Sequence, residues 1–166
     1  MKHACFKNIP LDGCFDDFSR QLIQLGYTYD EDSNVFSGKF ANEFVQMGVE
    51  CTPKSNIVYG CYVRFGVENL WDDLKDKYFK YKNLYRKKYG KPKEEGELFL
   101  DPYCEGDGDE LIATCNSHCL YYSSFTIPGG KAALHLDEQR LFICIFDDIN
   151  TKVFKREEEE IAYDDI

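Results

Sequence analysis

The residues best suited to metal chemistry lie in the stretch CNSHC, which places Cys115, His118 and Cys119 close together, with Cys104 upstream. Thiolate sulfur and imidazole nitrogen are ligands that zinc prefers. In an extended strand, however, Cys115 and Cys119 would lie about 13 Å apart, at roughly 3.3 Å per residue. One ion cannot reach both unless the chain turns tightly here. We therefore predict no metal and no other cofactor.

The acidic stretch EGDGDE offers carboxylates at Glu105, Asp107 and Asp109, alternate positions that faintly resemble a calcium loop. Such a loop requires glycine at its sixth position, where this chain has Glu110, and a later bidentate glutamate is also absent. The sequence therefore predicts weak calcium binding or none.

A cysteine nucleophile needs a base within hydrogen-bond reach. If KAALHL pairs with RLFICIF across a four-residue turn, Ala133 faces Cys144, and His135 flanks that thiol on the same face. The sequence contains no serine elbow, phosphate-binding glycine loop or dinucleotide fingerprint. A small cysteine- or zinc-dependent hydrolase is therefore the alternative function, and a non-catalytic protein is favoured.

The composition is that of a folded, acidic domain. The chain has 166 residues, of which 43% are apolar and 16% aromatic, and its net charge is −10. Such a charge repels a nucleic-acid backbone and suits a basic protein partner. No apolar run approaches the roughly 20 residues that cross a bilayer. The opening MKHACFKNIP lacks the apolar segment of a secretory leader, which predicts a cytoplasmic protein, or a periplasmic or secreted one whose leader has been removed.

The eight cysteines leave their redox state open. An even number is compatible with disulfides. Several cysteines occupy positions where a strand would carry a small apolar residue, and free cysteine often behaves as a buried hydrophobe. Reduced, structural cysteines are favoured because a chain of this size does not need covalent staples.

Two helices are predicted from residues recurring at spacings of three and four. The first stripe contains Phe15, Phe18, Leu22 and Leu25, with Asp16 and Asp17 in its first turn. The second runs from Asn69 to Gly90, and its stripe comprises Trp71, Leu74, Tyr78, Tyr81 and Tyr85. Acidic residues at the start of each helix favour its dipole.

Strands are predicted where apolar residues alternate with polar or small ones. Residues 35–66 read as a three-stranded antiparallel meander, and three more strands are predicted around Leu111–Tyr122, in KAALHL and in RLFICIF. The stretch EEGELFLDPYCEGDGDEL between them reads as an acidic loop. The predicted fold is α+β: two helix-plus-three-strand units with an antiparallel sheet and helices on one face.

The domain prediction follows from this order. Residues 1–148 form one domain of two repeated halves, about 6–66 and 67–148, and residues 149–166 form a charged tail or a short helix. The repeat lies in the pattern alone, because the side chains of the two halves do not align well.

The segments FKNIPLDGCFDDFSRQLIQLGY, FSGKF, LWDDLKDKYFKYKNLYRKKYG, PGGKAALHL and LFICIFDDIN resemble those of a group of uncharacterised gut-bacterial proteins. The resemblance covers most of the chain and implies a shared fold; its motifs are turns, caps and core positions. Those relatives commonly carry secretory leaders. In topology, the tandem helix-plus-strands order is also similar to the beta-lactamase inhibitor protein and to small lipoprotein modules of outer-membrane assembly. Both are binding modules, and neither supplies a motif that assigns contact residues here.

The alternation in RLFICIF places Leu141, Ile143 and Ile145 on one face and Phe142, Cys144 and Phe146 on the other. A sheet covered by helices on one side should be polar on its free side, yet this second face is aromatic. Such a face is covered by the chain itself or is available to a partner. We therefore predict a non-catalytic binding module that contacts a protein partner, or a second copy, through six residues: Glu50, Tyr62, Arg64, His135, Phe142 and Phe146.

Overall fold

The computed structural model describes residues 2–165 and shows an α+β fold, as predicted. The described residues form four helices and ten strands. In chain order these are β1 (Cys5–Phe6), β2 (Ile9–Pro10), α1 (Phe15–Gln24), β3 (Thr28–Asp30), β4 (Val35–Phe40), β5 (Glu43–Cys51), β6 (Val58–Arg64), α2 (Trp71–Tyr89), β7 (Glu94–Phe99), α3 (Glu110–Cys115), β8 (Cys119–Ile127), β9 (Gly130–Asp137), β10 (Arg140–Asp147) and α4 (Asp148–Asp164).

The chain divides into two compact units. Unit 1 comprises residues 2–63, 127–131 and 144–165, and unit 2 comprises Arg64–Thr126 and Ala132–Ile143. The division cuts through strand β10, so its first four residues belong to unit 2 and its last four to unit 1.

Unit 1 is built around the meander β3-β4-β5-β6, with α1 packed on one face. Phe36 of β4 pairs with Met47 of β5, and both side chains are fully buried. Phe15, at the start of α1, lies 6.1 Å from Phe36 between ring centroids. Phe18 and Leu22 continue the buried stripe of the helix, as the spacing predicted.

Helix α4 closes unit 1 at its carboxyl-terminal end. Asp147 caps the helix by accepting hydrogen bonds from the amides of Ile149 and Asn150, and it also accepts one from the amide of Ala4. Asn150 donates from Nδ2 to the carbonyl oxygens of Leu11 and Val58. The segment that the sequence left open between a tail and a short helix is therefore a helix of 17 residues held by buried polar contacts.

In unit 2, α2 packs against one face of strands β7, β8 and β9 and the first half of β10, which are neighbours in that order. The Tyr78 hydroxyl lies 2.6 Å from Ser123 Oγ, and the rings of Tyr85 and Phe125 lie 5.6 Å apart. Tyr81 packs at 4.8 Å on Phe65. The tyrosine stripe is thus core, as predicted.

Three local predictions are corrected. The acidic stretch read as a loop contains strand β7, whose Glu95 and Glu97 pair with the buried Lys82. The run Leu111–Tyr122, read as one strand, is helix α3 followed by β8. A helix-plus-three-strand count per half is therefore too low, because β3 and β7 each add a strand. Within residues 2–165 no helix is long and apolar enough to cross a membrane.

Candidate functional site

In unit 2, one face of the sheet points away from α2. The odd-numbered residues Tyr121, Ser123 and Phe125 of β8 face the helix, so the even-numbered ones face outward. We call the outward set the open face, and it comprises Arg64, Leu98, Leu120, Tyr122, His135, Asp137 and Phe142. Leu98 and Tyr122 are 49% and 40% exposed, which shows that solvent reaches this surface.

Four side chains of the open face form a row across the strands. The two-residue turn Pro128–Gly129 places Tyr122 opposite His135, and the rings of His135 and Phe142 stack at 5.2 Å with an angle of 8° between planes. Phe65 donates from its amide to the carbonyl of Leu141. Because the strands are antiparallel, Arg64, one residue before Phe65, lies opposite Phe142, one residue after Leu141.

The Tyr122 ring of this row lies over the neighbouring strand. Gly96 of β7 pairs with Tyr122, and a Cβ atom at Gly96 would come within 2.6 Å of the tyrosine ring. The glycine therefore makes room for the ring to lie down on the neighbouring strand. This arrangement presents the face of the ring, rather than its edge, to the exterior.

His135 is electrically neutral near pH 7. Burial lowers the pKa of its imidazole, and the nearby Asp137 carboxylate opposes that shift only in part. The stack with Phe142 supplies the apolar surroundings. Its ring therefore acts as a polar aromatic surface and contributes no positive charge.

In unit 1, the rings of two predicted residues, Tyr62 and Phe146, also lie over glycines. The Tyr62 ring lies over Gly48, where a Cβ atom would come within 2.2 Å of it. Phe146 lies over Gly60 in the same way, and the Lys131 ammonium lies 5.8 Å from the Phe146 ring centroid. Tyr62 and Phe146 are half-buried.

Glu50 has an internal partner. Its carboxylate accepts a hydrogen bond from the Tyr59 hydroxyl, which together with burial raises the pKa of that tyrosine. The Tyr59 ring is stacked at 4.3 Å on Phe154 of α4. Of the six predicted residues, Glu50 is thus tied to the end of unit 1 that α4 covers. Arg64, His135 and Phe142 come together in unit 2, and Tyr62 and Phe146 lie in unit 1.

The CNSHC stretch turns between a helix and a strand. Cys115 ends α3 and is exposed, whereas Cys119 begins β8 and is buried. His118 Nδ1 lies 2.6 Å from the carbonyl oxygen of Asn116 in the intervening turn. Within residues 2–165 no group of three or more histidine, cysteine or acidic side chains could hold a metal ion.

The acidic loop uses its carboxylates to fix its own backbone. Asp107 accepts hydrogen bonds from the amides of Cys104 and Asp109, and Glu110 accepts one from the amide of Gly106. These contacts lower the pKa of Asp107. The carboxylates at Asp107 and Glu110 therefore have structural partners, as expected of turn residues.

All eight cysteines are free. Burial raises the pKa of Cys51, Cys119 and Cys144 to about 11 each, and it also raises the pKa of Cys61. Fewer thiolates then form at neutral pH, which is the opposite of what a cysteine nucleophile requires.

Sequence reasoning missed part of the open face. Leu98 lies in β7, which the sequence predicts as a loop. Tyr122 ends a predicted strand that begins at Leu111, eight residues before the start of β8 at Cys119. Asp137 follows KAALHL in the sequence, where the pattern predicts a turn and no site. The alternation in CLYYSSFTI was the available signal, since it separates Tyr122 from the buried Tyr121.

No protein family, curated protein or solved structure matches this chain. The resemblances drawn from the sequence therefore stay predictions, and the site rests on its own geometry.

Proposed function

We propose that this protein is a non-catalytic binding module that contacts a protein partner through the open face of unit 2. The observation that carries the proposal is the row Tyr122, His135 and Phe142, in which rings cover a sheet surface that lies away from α2. Aromatic side chains with a polar rim are typical of the centre of protein interfaces.

The composition of the row supports binding over catalysis. His135 is neutral and stacked, so its ring offers apolar area together with a hydrogen-bonding nitrogen. Arg64 and Asp137 supply charge at the margins. The cysteines that a hydrolase would need have raised pKa values where a shift is resolved, and this favours the binding module over the cysteine-dependent alternative.

Site-specific photo-crosslinking tests this function. A photoreactive phenylalanine analogue replaces Tyr122 on the open face, or Leu84 on the exposed side of α2 as the matched control. After irradiation in a lysate of the producing cells, we expect a discrete protein adduct from position 122 and none from position 84. The adduct should disappear when Phe142→Asp is added.

The folded state is checked by circular dichroism and thermal unfolding. If Phe142→Asp unfolds the protein, His135→Asp replaces it, because that side chain is also half-buried on the same face. Equal adducts from positions 122 and 84, or an adduct that survives both folded variants, would contradict the proposal.

A further inference from the structure

Beside the row, the open face contains a groove of about 250 Å³ whose walls carry Tyr122, His135 and Asp137, with Leu120 and Leu136 among its apolar lining. We call it the Asp137 groove. Its volume suits one long side chain, and its lining joins aromatic rings to a carboxylate.

The Asp137 carboxylate has no cationic partner within residues 2–165. Its Oδ1 atom accepts one hydrogen bond, at 3.0 Å, from the amide of Glu138 in the adjoining turn. The carboxylate acts on His135, whose imidazole is kept neutral by burial. The charge also acts on Cys119, which lines the same groove. One carboxylate oxygen therefore remains available to a donor entering from outside.

Two aromatic rings, those of Tyr122 and His135, line the groove together with this carboxylate. The Tyr122 ring covers Gly96 of β7 and also lines the groove. A cation over a ring face is attracted by the ring quadrupole, and the attraction grows where water is excluded. A planar guanidinium can stack on a ring and pair with a carboxylate together, which an ammonium does less well.

We propose that the Asp137 groove receives an arginine side chain from a basic segment of the protein partner. The guanidinium stacks on Tyr122 and donates to the carboxylate of Asp137, while its aliphatic stem packs on Leu120. This inference rests on the proposed function and names the chemistry of the partner. The net charge of −10 favours the approach of such a segment.

Two short peptides that differ in one residue test the inference. One carries arginine between leucines, and the other carries citrulline, which keeps the shape of the side chain but removes its charge. Backbone amide shifts of the intact protein are followed by NMR as each peptide is added. We expect saturable shifts at Tyr122, His135 and Asp137 with the arginine peptide, and at least fivefold weaker binding of the citrulline peptide.

Two variants localise the effect. Asp137→Asn should weaken the arginine peptide at least fivefold, whereas Glu138→Gln removes an equal charge from the neighbouring exposed residue and should change its affinity less than twofold. Equal binding of the two peptides, or equal effects of the two variants, would overturn the inference. Crosslinking from position 122 that persists in Asp137→Asn would then show that the open face binds by other chemistry.

Discussion

Two regions of the molecule carry aromatic sheet residues, and the chain treats them differently. In unit 1, Tyr59 is stacked on Phe154, and helix α4 is fastened there by Asp147, Asn150 and Glu157. In unit 2, Tyr122 remains 40% exposed, although it lies on the same strand as buried residues. The first region is completed by the protein's own helix, whereas the second stays exposed to solvent.

The difference shows how covered and exposed aromatic surfaces are distinguished in this fold. Where helix α4 covers the sheet of unit 1, its buried polar side chains bond to the backbone beneath. Glu157, for example, accepts hydrogen bonds from the amides of Lys54 and Ser55 and from Ser55 Oγ. On the open face, Asp137 accepts one hydrogen bond within the part of the chain that the structure describes, from the amide of Glu138. Glu157 is therefore committed to holding α4, whereas Asp137 keeps one oxygen for the donor proposed above.

The largest expected effect is at Asp147, which is fully buried. Asp147→Ala leaves the amides of Ala4, Ile149 and Asn150 without their acceptor. Each unpaired buried group costs roughly 1–3 kcal/mol, so we expect a loss of about 3 kcal/mol or more in the free energy of unfolding, measured with urea. Asp148→Ala, at the exposed first position of the helix, should cost less than about 0.5 kcal/mol. Similar losses in both variants would show that α4 is not fastened by its cap.

The second prediction compares equal truncations in the two regions. Phe154→Ala removes the ring stacked on Tyr59 and should lower the free energy of unfolding by about 2 kcal/mol, the area term and the ring pair together. Tyr122→Ala removes a ring from the open face and should cost less than about 1 kcal/mol, since much of that ring is already in water. Urea unfolding measures both. A larger cost for Tyr122→Ala would mean that the open face belongs to the core.

Most of the architecture followed from local patterns in the sequence. The stripe Leu74, Tyr78 and Tyr81 predicted which side of α2 is buried, and alternation in RLFICIF separated Phe142 from Ile143. Strand β7 was missed because its inward residues Glu95 and Glu97 are charged, and the Lys82 that neutralises them lies elsewhere in the chain. Alternation cannot report such a tertiary ion pair.

The candidate site was predictable only in part. His135 and Phe142 lie on the two strands of one hairpin, whose turn residues Glu138 and Gln139 both have positive φ. The contact between His135 and Phe142 therefore joins residues that are close in sequence. Tyr122 lies opposite Gly96 of the unrecognised strand β7. Similarly, the sequence leaves the α4 segment open between a charged tail and a short helix, because nothing local shows that Glu157 accepts a hydrogen bond from the backbone of Ser55.

The third prediction concerns how the stability contributed by Glu157 of α4 depends on pH. The hydrogen bond from Ser55 lowers the pKa of Glu157 in the folded state. The stabilisation that this carboxylate provides is therefore present above the unfolded pKa of about 4.3 and is lost as the pH falls through the lower, folded value. We expect Glu157→Gln to be less stable than the wild type at pH 7, with the gap narrowing below about pH 4. Urea unfolding across this range measures the gap, with Glu159→Gln as the exposed control; a gap independent of pH would contradict the assignment.

The smallest expected effect is at His135, and it probes the open face without changing a residue of α4. Burial lowers the pKa of this imidazole, so the folded ring should titrate below about 6.5 by NMR. As the pH decreases below that value, the unfolded chain binds more protons than the folded one. The free energy of unfolding therefore decreases as the pH is lowered, until the folded ring is protonated too. His135→Phe should remove this component while keeping the ring contact with Phe142. Because a partner that covers the face removes more water from the ring, its binding should lower the midpoint further; a midpoint at or above 6.5 in the free protein would show that the ring is solvated and that the row is not the apolar surface proposed here.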